Sequence, residues 1–137
     1  MSKGNTSEND MIKIMFLNNY DPSWRTQGNL YISLHTADPG EGGTQETSEA
    51  TYTNYARVAV PKDATGWTVA GNQVSNAALI QFAQCGITGN TITHVAIGTS
   101  STGVGQVLYS GALSAPLSVS NLIQPQFAIS ALVITED

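Results

Sequence analysis

Five side chains are the candidates in this sequence for a nucleophile and its acid–base partner. His35 and His94 are the only histidines, and Cys85 is the only cysteine. Together with Ser33 or Asp38 they could be arranged on paper as a nucleophile and a base. No G-x-S-x-G elbow is present, and no spacing ties a histidine to a nucleophile. We therefore predict a non-enzymatic protein, with a histidine on a strand bonded to a loop carbonyl and Cys85 as a small buried apolar side chain.

Oxygen ligands and glycine-rich turns offer two further kinds of site. Asp38, Glu41, Glu46 and Glu49 could supply carboxylate oxygens to Ca²⁺, but their spacing is not that of an EF-hand loop. Residues 103–105 read Gly-Val-Gly, and neither a third glycine nor a helix follows, so they are not a dinucleotide fingerprint. We predict no metal and no cofactor.

The composition excludes several classes of partner. Charged residues make up 11% of the 137, the formal net charge is -5, and only five residues are Lys or Arg. Phosphate binding depends on clustered basic side chains, which argues against direct nucleic-acid binding. No apolar run approaches the roughly 20 residues of a membrane helix, and the start lacks a signal-peptide core. A surface of hydroxyls and amides can be buried at protein interfaces without desolvating many ions.

One domain with a short leading segment is expected from the length. Residues 1–7 are polar and are predicted to be flexible, and residues 8–137 are predicted to form a single β-rich domain. A lone cysteine excludes an intramolecular disulfide, and a domain of this size needs none.

A helix is predicted at about residues 8–19. Ser7 and Asp10 have the spacing of a capping box, and Asp21-Pro22 ends the helical pattern. Apolar side chains at helical spacing form one face, namely Met11, Ile12, Met15 and Phe16. This face either covers one end of the sheet or docks on a partner subunit.

After residue 28 the apolar residues recur with the strand period of about 2 instead of the helical period of about 3.6. The candidate strands are residues 30–35, 56–60, 66–70, 74–82, 91–98, 106–113 and 126–134. Turn signals at 71–72 and 98–103 separate them. Short strands with such turns favour a mainly β fold, an antiparallel sandwich or jelly roll, with one N-terminal helix.

A long loop interrupts the strands at residues 37–54. Asp38-Pro39-Gly40 is a turn signal that ends the first strand. A loop of this length in a small domain is usually functional or disordered.

Several segments resemble a family of small structural proteins of tailed-phage and prophage virions, often labelled tail fibre proteins. The segments are Leu30–Gln45 (LYISLHTADPGEGGTQ), Tyr52–Pro61, Gly66–Thr68, Val74–Ala78, His94–Gly98, Leu108–Leu113 and Ile134–Asp137. The resemblance implies a virion component that is made in the host cytoplasm. It also implies other virion proteins as partners. Because it includes the sequence of the long loop at residues 37–54, it implies that this loop is an ordered contact arm.

Within that class the small size and lack of repeats favour a capsid-surface decoration or cement protein bound to the major capsid protein. The alternative is a small tail-fibre or tail-attached protein involved in host recognition, for example as a glycan-binding module. We also expect a homo-oligomer, with a trimer suggested by the symmetry of phage heads and tails.

The interface is expected to combine the helix, the long loop and nearby aromatic and basic side chains. The predicted interface residues are Met11, Ile12, Met15, Phe16, Asp38, Pro39, Gly40, Glu41, Tyr52, Tyr55 and Arg57. Arg57 lies between apolar strand residues, where it is expected to pair with an acid of the loop or with a neighbouring subunit.

Overall fold

A computed structural model describes all of residues 1–137. It contains one helix, α1 (Asn5–Phe16), a 3-10 turn at Ser23–Arg25, and ten strands. The strands are β1 (Ser2–Lys3), β2 (Asn29–His35), β3 (Val58–Pro61), β4 (Trp67–Ala70), β5 (Gln73–Asn76), β6 (Ile80–Gln81), β7 (Asn90–Gly98), β8 (Val107–Val119), β9 (Gln126–Phe127) and β10 (Val133–Thr135). The predicted mainly β fold with one N-terminal helix is confirmed.

The strands form three antiparallel sheets. The largest has the order β1-β8-β7-β2-β3, and the smaller ones have the orders β10-β5-β4 and β6-β9. In the centre of the large sheet, Ile32 lies opposite Ile97 and Leu34 lies opposite Val95. Alternation along β2 therefore places the apolar side chains of two neighbouring strands on the same face.

One hydrophobic core joins the three sheets. It consists of 14 buried side chains, contributed by the large sheet, by both small sheets and by the long loop. Phe82 is central to it, because its ring stacks on Tyr55 and meets Phe127 edge-on. The long loop contributes Tyr52, which is 2% exposed.

The helix begins and ends three residues before its predicted bounds of 8–19. The predicted capping box does not form, since the N-cap residue is Gly4 and no side chain caps the helix. Asp10 accepts hydrogen bonds from the Tyr20 hydroxyl and from Trp24 Nε1 instead. The helix ends because Leu17 is extended, well before Asp21-Pro22.

Residues 1–7 do not match the expected flexible segment. Ser2 and Lys3 pair with Ser110 and Tyr109 as the edge strand β1, and the Lys3 ammonium forms an ion pair with Glu136. This pairing leaves no local sign in the sequence, because the partner strand lies more than a hundred residues along the chain.

The strand predicted at 106–113 is longer in the structure, since β8 extends to Val119. Two other predicted strands each divide into two shorter strands. The segment 74–82 divides into β5 and β6, and the segment 126–134 divides into β9 and β10. Asn76 explains both breaks, because its buried amide donates to the carbonyls of Ala78 and Ala128 and its Oδ1 accepts from Leu132 N. The side chain takes over hydrogen bonds that a continuous ladder would make.

Candidate functional site

The long loop folds back onto the end of β2 and is held there by its own backbone. Thr36 N donates to Ser48 O and Ala50 N donates to Leu34 O, both at 2.8 Å. At the tip, Gly40 N donates to the Asp38 carboxylate at 2.9 Å, and Gly40 has φ +73°. Glycine adopts this conformation without steric cost. The expected turn is present, and it lies in an ordered segment.

Gln45 fixes the middle of the loop to the turn that joins β7 and β8. Its side chain is fully buried, and its Oε1 accepts from Ser100 N at 2.9 Å. Gln45 N donates to Gly105 O at 2.9 Å. A Cβ atom at Gly98 or at Gly105 would overlap the Gln45 side chain. The two glycines therefore create the slot that Gln45 occupies.

Arg57 makes the second attachment between the loop and this turn. Its guanidinium contacts Glu49 twice and donates to the carbonyls of Ser100, at 2.9 Å, and Gly103, at 2.7 Å. The hydrogen bond with Glu49 raises the pKa of Arg57 above its ordinary value. Arg57 was expected to pair with an acid of the loop or with a neighbouring subunit, and in the structure it pairs with the loop residue Glu49. The guanidinium joins three segments of one chain.

Tyr55 completes this cluster from the core side. Its hydroxyl donates to Glu49 Oε1 at 2.8 Å and accepts from Leu34 N at 3.1 Å. Burial is the main reason that the pKa of Tyr55 lies above its ordinary value. The phenol therefore stays a neutral donor that orients Glu49.

His35 closes the base of the loop. The imidazole is fully buried, with Nδ1 2.8 Å from Thr47 O and Nε2 2.8 Å from the Ser33 hydroxyl. A carbonyl can only accept, so Nδ1 carries the proton and Nε2 accepts from Ser33. The predicted bond to a loop carbonyl is confirmed. Burial lowers the pKa of His35, so the neutral ring is favoured.

Of the other candidate chemical groups, Ser33 contacts His35 through the hydrogen bond described above, and His94 lies opposite His35 on the neighbouring strand. His94 Nδ1 lies 2.8 Å from the Thr93 hydroxyl. Cys85 is 1% exposed, as predicted, and its thiol contacts the carbonyls of Gly86 and Thr88. No group of three His, Cys, Asp or Glu side chains converges on a point where a metal ion could bind.

A buried carboxylate in α1 forms a second centre that the sequence did not reveal. Asp10 accepts from Tyr20, from Trp24 Nε1 at 2.8 Å and from Gln106 Nε2 at 2.9 Å. Burial alone would raise the pKa of Asp10, but these hydrogen bonds outweigh it and the pKa lies below its ordinary value. The ionised carboxylate ties the helix to the segment after it and to the start of β8.

This arrangement leaves most of the apolar face of the helix exposed. Its buried residues are Ser7 and Asp10, whereas Ile12, Met15 and Phe16 are 56%, 65% and 78% exposed. Met11, which was predicted to share this apolar face, is partly buried. The apolar face therefore does not cover the end of the sheet, which was one of the two alternatives.

The predicted interface residues fall into two groups in the structure. The exposed group comprises Ile12, Met15, Phe16, Asp38 and Glu41, with Met11 and Gly40 partly buried beside them. The internal group comprises Pro39, Tyr52, Tyr55 and Arg57. Tyr52 is a core residue, and the Arg57 side chain is 3% exposed. Their aromatic and basic character serves packing and loop attachment within the chain, so they have little surface to offer a partner.

The exposed loop tip and the start of the helix adjoin each other. Asn5 N donates to Glu41 O at 2.8 Å, and the Ser2 hydroxyl donates to the Glu41 carboxylate at 2.9 Å. We call this region, formed by Ser2, Asn5, Asp38, Glu41 and Gly42, the helix–loop surface. Its residues come from two distant parts of the sequence. Asp38 and Glu41 were predicted to contact partners, whereas Ser2 and Asn5 lie in the segment that was predicted to be flexible.

The single helix is neither long enough nor apolar enough to cross a membrane.

Comparison with known proteins shows the family of the chain. No curated protein matches the sequence significantly. A protein-family model described as podophage GP4 fiber I protein gp80 matches residues 2–135. This match extends over nearly the whole chain, from β1 to β10, and agrees with the expectation of a phage virion protein. The chain belongs to the podophage GP4 fiber I protein gp80 family.

Proposed function

We propose that this protein is a non-enzymatic structural component of the fibre apparatus of a phage virion. It functions by assembling with other virion proteins. The observation that carries the proposal is the match of residues 2–135 to a podophage fibre protein family. The fibre assignment was the alternative in the sequence analysis. It replaces the capsid-decoration assignment, which rested on small size and the absence of repeats.

A role without catalysis is supported by the state of the candidate chemical groups. Both ring nitrogens of His35 are engaged by neighbours inside the chain, and the Cys85 thiol is buried. A catalytic base must reach a substrate proton. His35 Nε2 lies 2.8 Å from the Ser33 hydroxyl, a possible nucleophile, but both side chains are fully buried, so a substrate has no access to the pair. The hydrogen bonds of His35 therefore account for it as a structural residue.

The helix–loop surface is the region that we propose for contact with the rest of the fibre apparatus. The loop is attached at Gln45 and at Arg57, so its tip is held in one position before any partner binds. Prior ordering lowers the conformational entropy that binding would otherwise cost. The Glu41 side chain and Gly42 are exposed at this surface.

The same substitution, Gly to Arg, tests this surface at one position on it and at one position away from it. Gly42 and Gly28 are both exposed and both have room for a Cβ atom, but only Gly42 lies on the helix–loop surface. We expect Gly42→Arg to fold normally and to be lost from virions, while Gly28→Arg is incorporated as well as the wild type. Circular dichroism checks folding, and quantitative mass spectrometry of purified particles measures incorporation.

The position on the particle is a separate measurement. Cryo-electron microscopy of the virion is expected to locate the chain at the tail fibres, in a small copy number set by the tail symmetry. A copy number on the order of hundreds, in register with the head lattice, would contradict the fibre assignment and restore the capsid alternative. Normal incorporation of Gly42→Arg would instead reject only the proposed contact surface.

A further inference from the structure

The charged side chains of this protein are confined to one part of its sequence. All ten acidic and all five basic side chains lie in residues 1–63 and 136–137. Residues 64–135 contain no Asp, Glu, Lys or Arg, although charged residues make up about a quarter of an average soluble domain. Strands β4 to β10 lie in this uncharged segment. A contact surface built from it has to rely on apolar, hydroxyl and amide groups.

Two stretches of the uncharged segment pair with each other. Ile80 lies opposite Phe127 in the β6-β9 sheet. Further along, Cys85 N donates to Ile123 O at 2.8 Å, and Leu122 N donates to Cys85 O at 2.9 Å. We call residues 78–88 and 120–131 the neutral ribbon. Its exposed aliphatic side chains are Leu79, Ile87, Leu122, Ile123 and Ile129.

Leu122 has an unfavourable backbone conformation at one end of the neutral ribbon. Ile123 N donates to Ser120 O at 3.0 Å and closes a tight turn in which Leu122 has φ +71°. Glycine and asparagine adopt this conformation readily, whereas leucine does not. The Leu122 side chain is 68% exposed, so burial within the chain does not offset the strain. Backbone strain that persists in a native structure is characteristic of positions with a function.

The lack of charge restricts the partner of the neutral ribbon. A charged surface would lose hydration there and find no opposite charge in return. The neutral ribbon of a second copy of this chain meets the requirement for an uncharged partner. Charge also selects the face through which two copies meet, because each copy has a formal net charge of -5. Since the charged side chains lie outside residues 64–135, contact between neutral ribbons places no like charges opposite each other.

We infer that two copies of this chain associate through their neutral ribbons. Ile87 and Leu122 of each copy are buried against the ribbon of the other, about a two-fold axis that makes the contact self-complementary. Burial of the Leu122 side chain between the copies then offsets the strain in its turn. The helix–loop surface shares no residue with the neutral ribbon, so the two contacts are separate.

Analytical ultracentrifugation of the full chain tests the association and its dependence on salt. We expect a change from monomer to dimer as the concentration rises from submicromolar to submillimolar. Two acidic copies repel each other, and salt screens this repulsion. Raising NaCl from about 0.05 M to about 0.5 M should therefore leave the dimer equally stable or stabilise it. A chain that stays monomeric at both salt concentrations would overturn the inference, as would a dimer that salt weakens.

A charge placed in the neutral ribbon identifies the contact. Ile87 is 89% exposed, so Ile87→Asp should leave folding intact. It is expected to weaken self-association by about tenfold or more, because the new carboxylate would be buried without a partner. Val104→Asp is the matched control, because Val104 is 71% exposed, lies outside the ribbon and acquires the same charge. It should associate like the wild type, and equal weakening in both variants would reject the ribbon as the contact.

Leu122→Asn separates the strain from the contact. Asparagine adopts positive φ more readily than leucine, so the variant should unfold at the same temperature as the wild type or at a higher one. Its self-association should nevertheless be weaker by about tenfold, as for loss of one buried aliphatic side chain. A dimer that persists unchanged in both Ile87→Asp and Leu122→Asn would overturn the inference.

Flotation with phosphatidylcholine vesicles tests whether the neutral ribbon contacts lipid instead. We expect the wild-type chain to remain outside the vesicle fraction. Vesicle binding that Ile87→Asp abolishes would assign the ribbon to lipid and overturn the contact between two copies. None of these results affects the proposed fibre function, which depends on incorporation into virions and on the position of the chain on the particle.

Discussion

Arg57 and Glu49 face each other through two parallel hydrogen bonds, with Nε 2.7 Å from Oε1 and Nη2 2.8 Å from Oε2. Both side chains are largely buried, with 3% and 16% of their side-chain surface exposed. This fork geometry is specific to arginine. It fixes the acidic loop to the turn between β7 and β8, because the same guanidinium also donates to the carbonyls of Ser100 and Gly103.

Removing this arginine should be strongly destabilising. Arg57→Ala leaves the Glu49 carboxylate buried without its partner, and the loss should be about 3–5 kcal/mol in the free energy of unfolding. Arg57→Lys should be intermediate, because an ammonium cannot make both parallel bonds. Urea unfolding of the purified variants measures both effects.

Arg25 provides the control for the arginine series. It pairs with Asp21 on the surface, where both side chains are 55% exposed. Exposed pairs contribute about 0–1 kcal/mol, so Arg25→Ala should shift the urea midpoint only slightly. Equal losses for the Arg25 and Arg57 variants would contradict the structural role of the buried pair.

The slot around Gln45 predicts that one added methyl group is costly. In Gly105→Ala the new Cβ overlaps the Gln45 amide, which must move and release Ser100 N. We expect a loss of about 1–3 kcal/mol, the usual cost of overpacking. Thermal unfolding followed by circular dichroism measures it. Gly28→Ala, where nothing lies within 4 Å of the added Cβ, should be close to neutral.

The Asp10 centre predicts a specific effect of replacing a carboxylate with an amide. Asp10 accepts from three donors, and an Asn side chain would turn its NH₂ group toward at least one of them. Asp10→Asn should therefore cost about 1–3 kcal/mol. Asp21→Asn, at an exposed position in an ion pair, should cost less than about 1 kcal/mol. Chemical denaturation of both variants tests the difference.

Buried His35 predicts a loss of stability in mild acid. Burial lowers its pKa in the folded state below the ordinary value of 6.5, so the unfolded chain binds the proton more readily. The contribution of His35 to stability is therefore complete above its pKa in the unfolded chain. This contribution is lost as the pH falls from that value through the pKa of His35 in the folded protein.

The measurement is the change in unfolding free energy between about pH 7.5 and about pH 5. His35→Asn should reduce this change, because it removes the titrating group while its amide can still donate to Thr47 O. His94→Asn leaves His35 in place, so this variant should retain the loss of unfolding free energy that is attributed to His35. The prediction fails if His35→Asn and the wild type lose the same amount of stability over this range.

The fold was largely predictable because strand and turn signals are local. Alternation at Leu30–His35 and a turn at Gly71-Asn72 appear directly in the sequence, and the structure contains both. The carbonyl partner of His35 and the acidic partner of Arg57 also followed from their residue types and neighbours. A structural feature can be predicted from the sequence when the residues that cause it lie within a few positions of each other. A hydrogen-bond partner can be predicted when the type of side chain limits the choice of partners.

The sequence by itself determined a β-rich single chain with one helix, few charges and an ordered turn at Asp38–Gly40. Only the tertiary structure decided which side of the helix is buried. Its apolar pattern left open whether Met15 and Phe16 cover the sheet or contact a partner subunit. Asp10 decides this, because it is enclosed and accepts a hydrogen bond from Gln106, 96 positions away. Three hydrogen bonds to one buried carboxylate outweighed the apolar pattern, because such a group must be satisfied wherever it is enclosed. Partners that distant leave no periodic signal in the sequence.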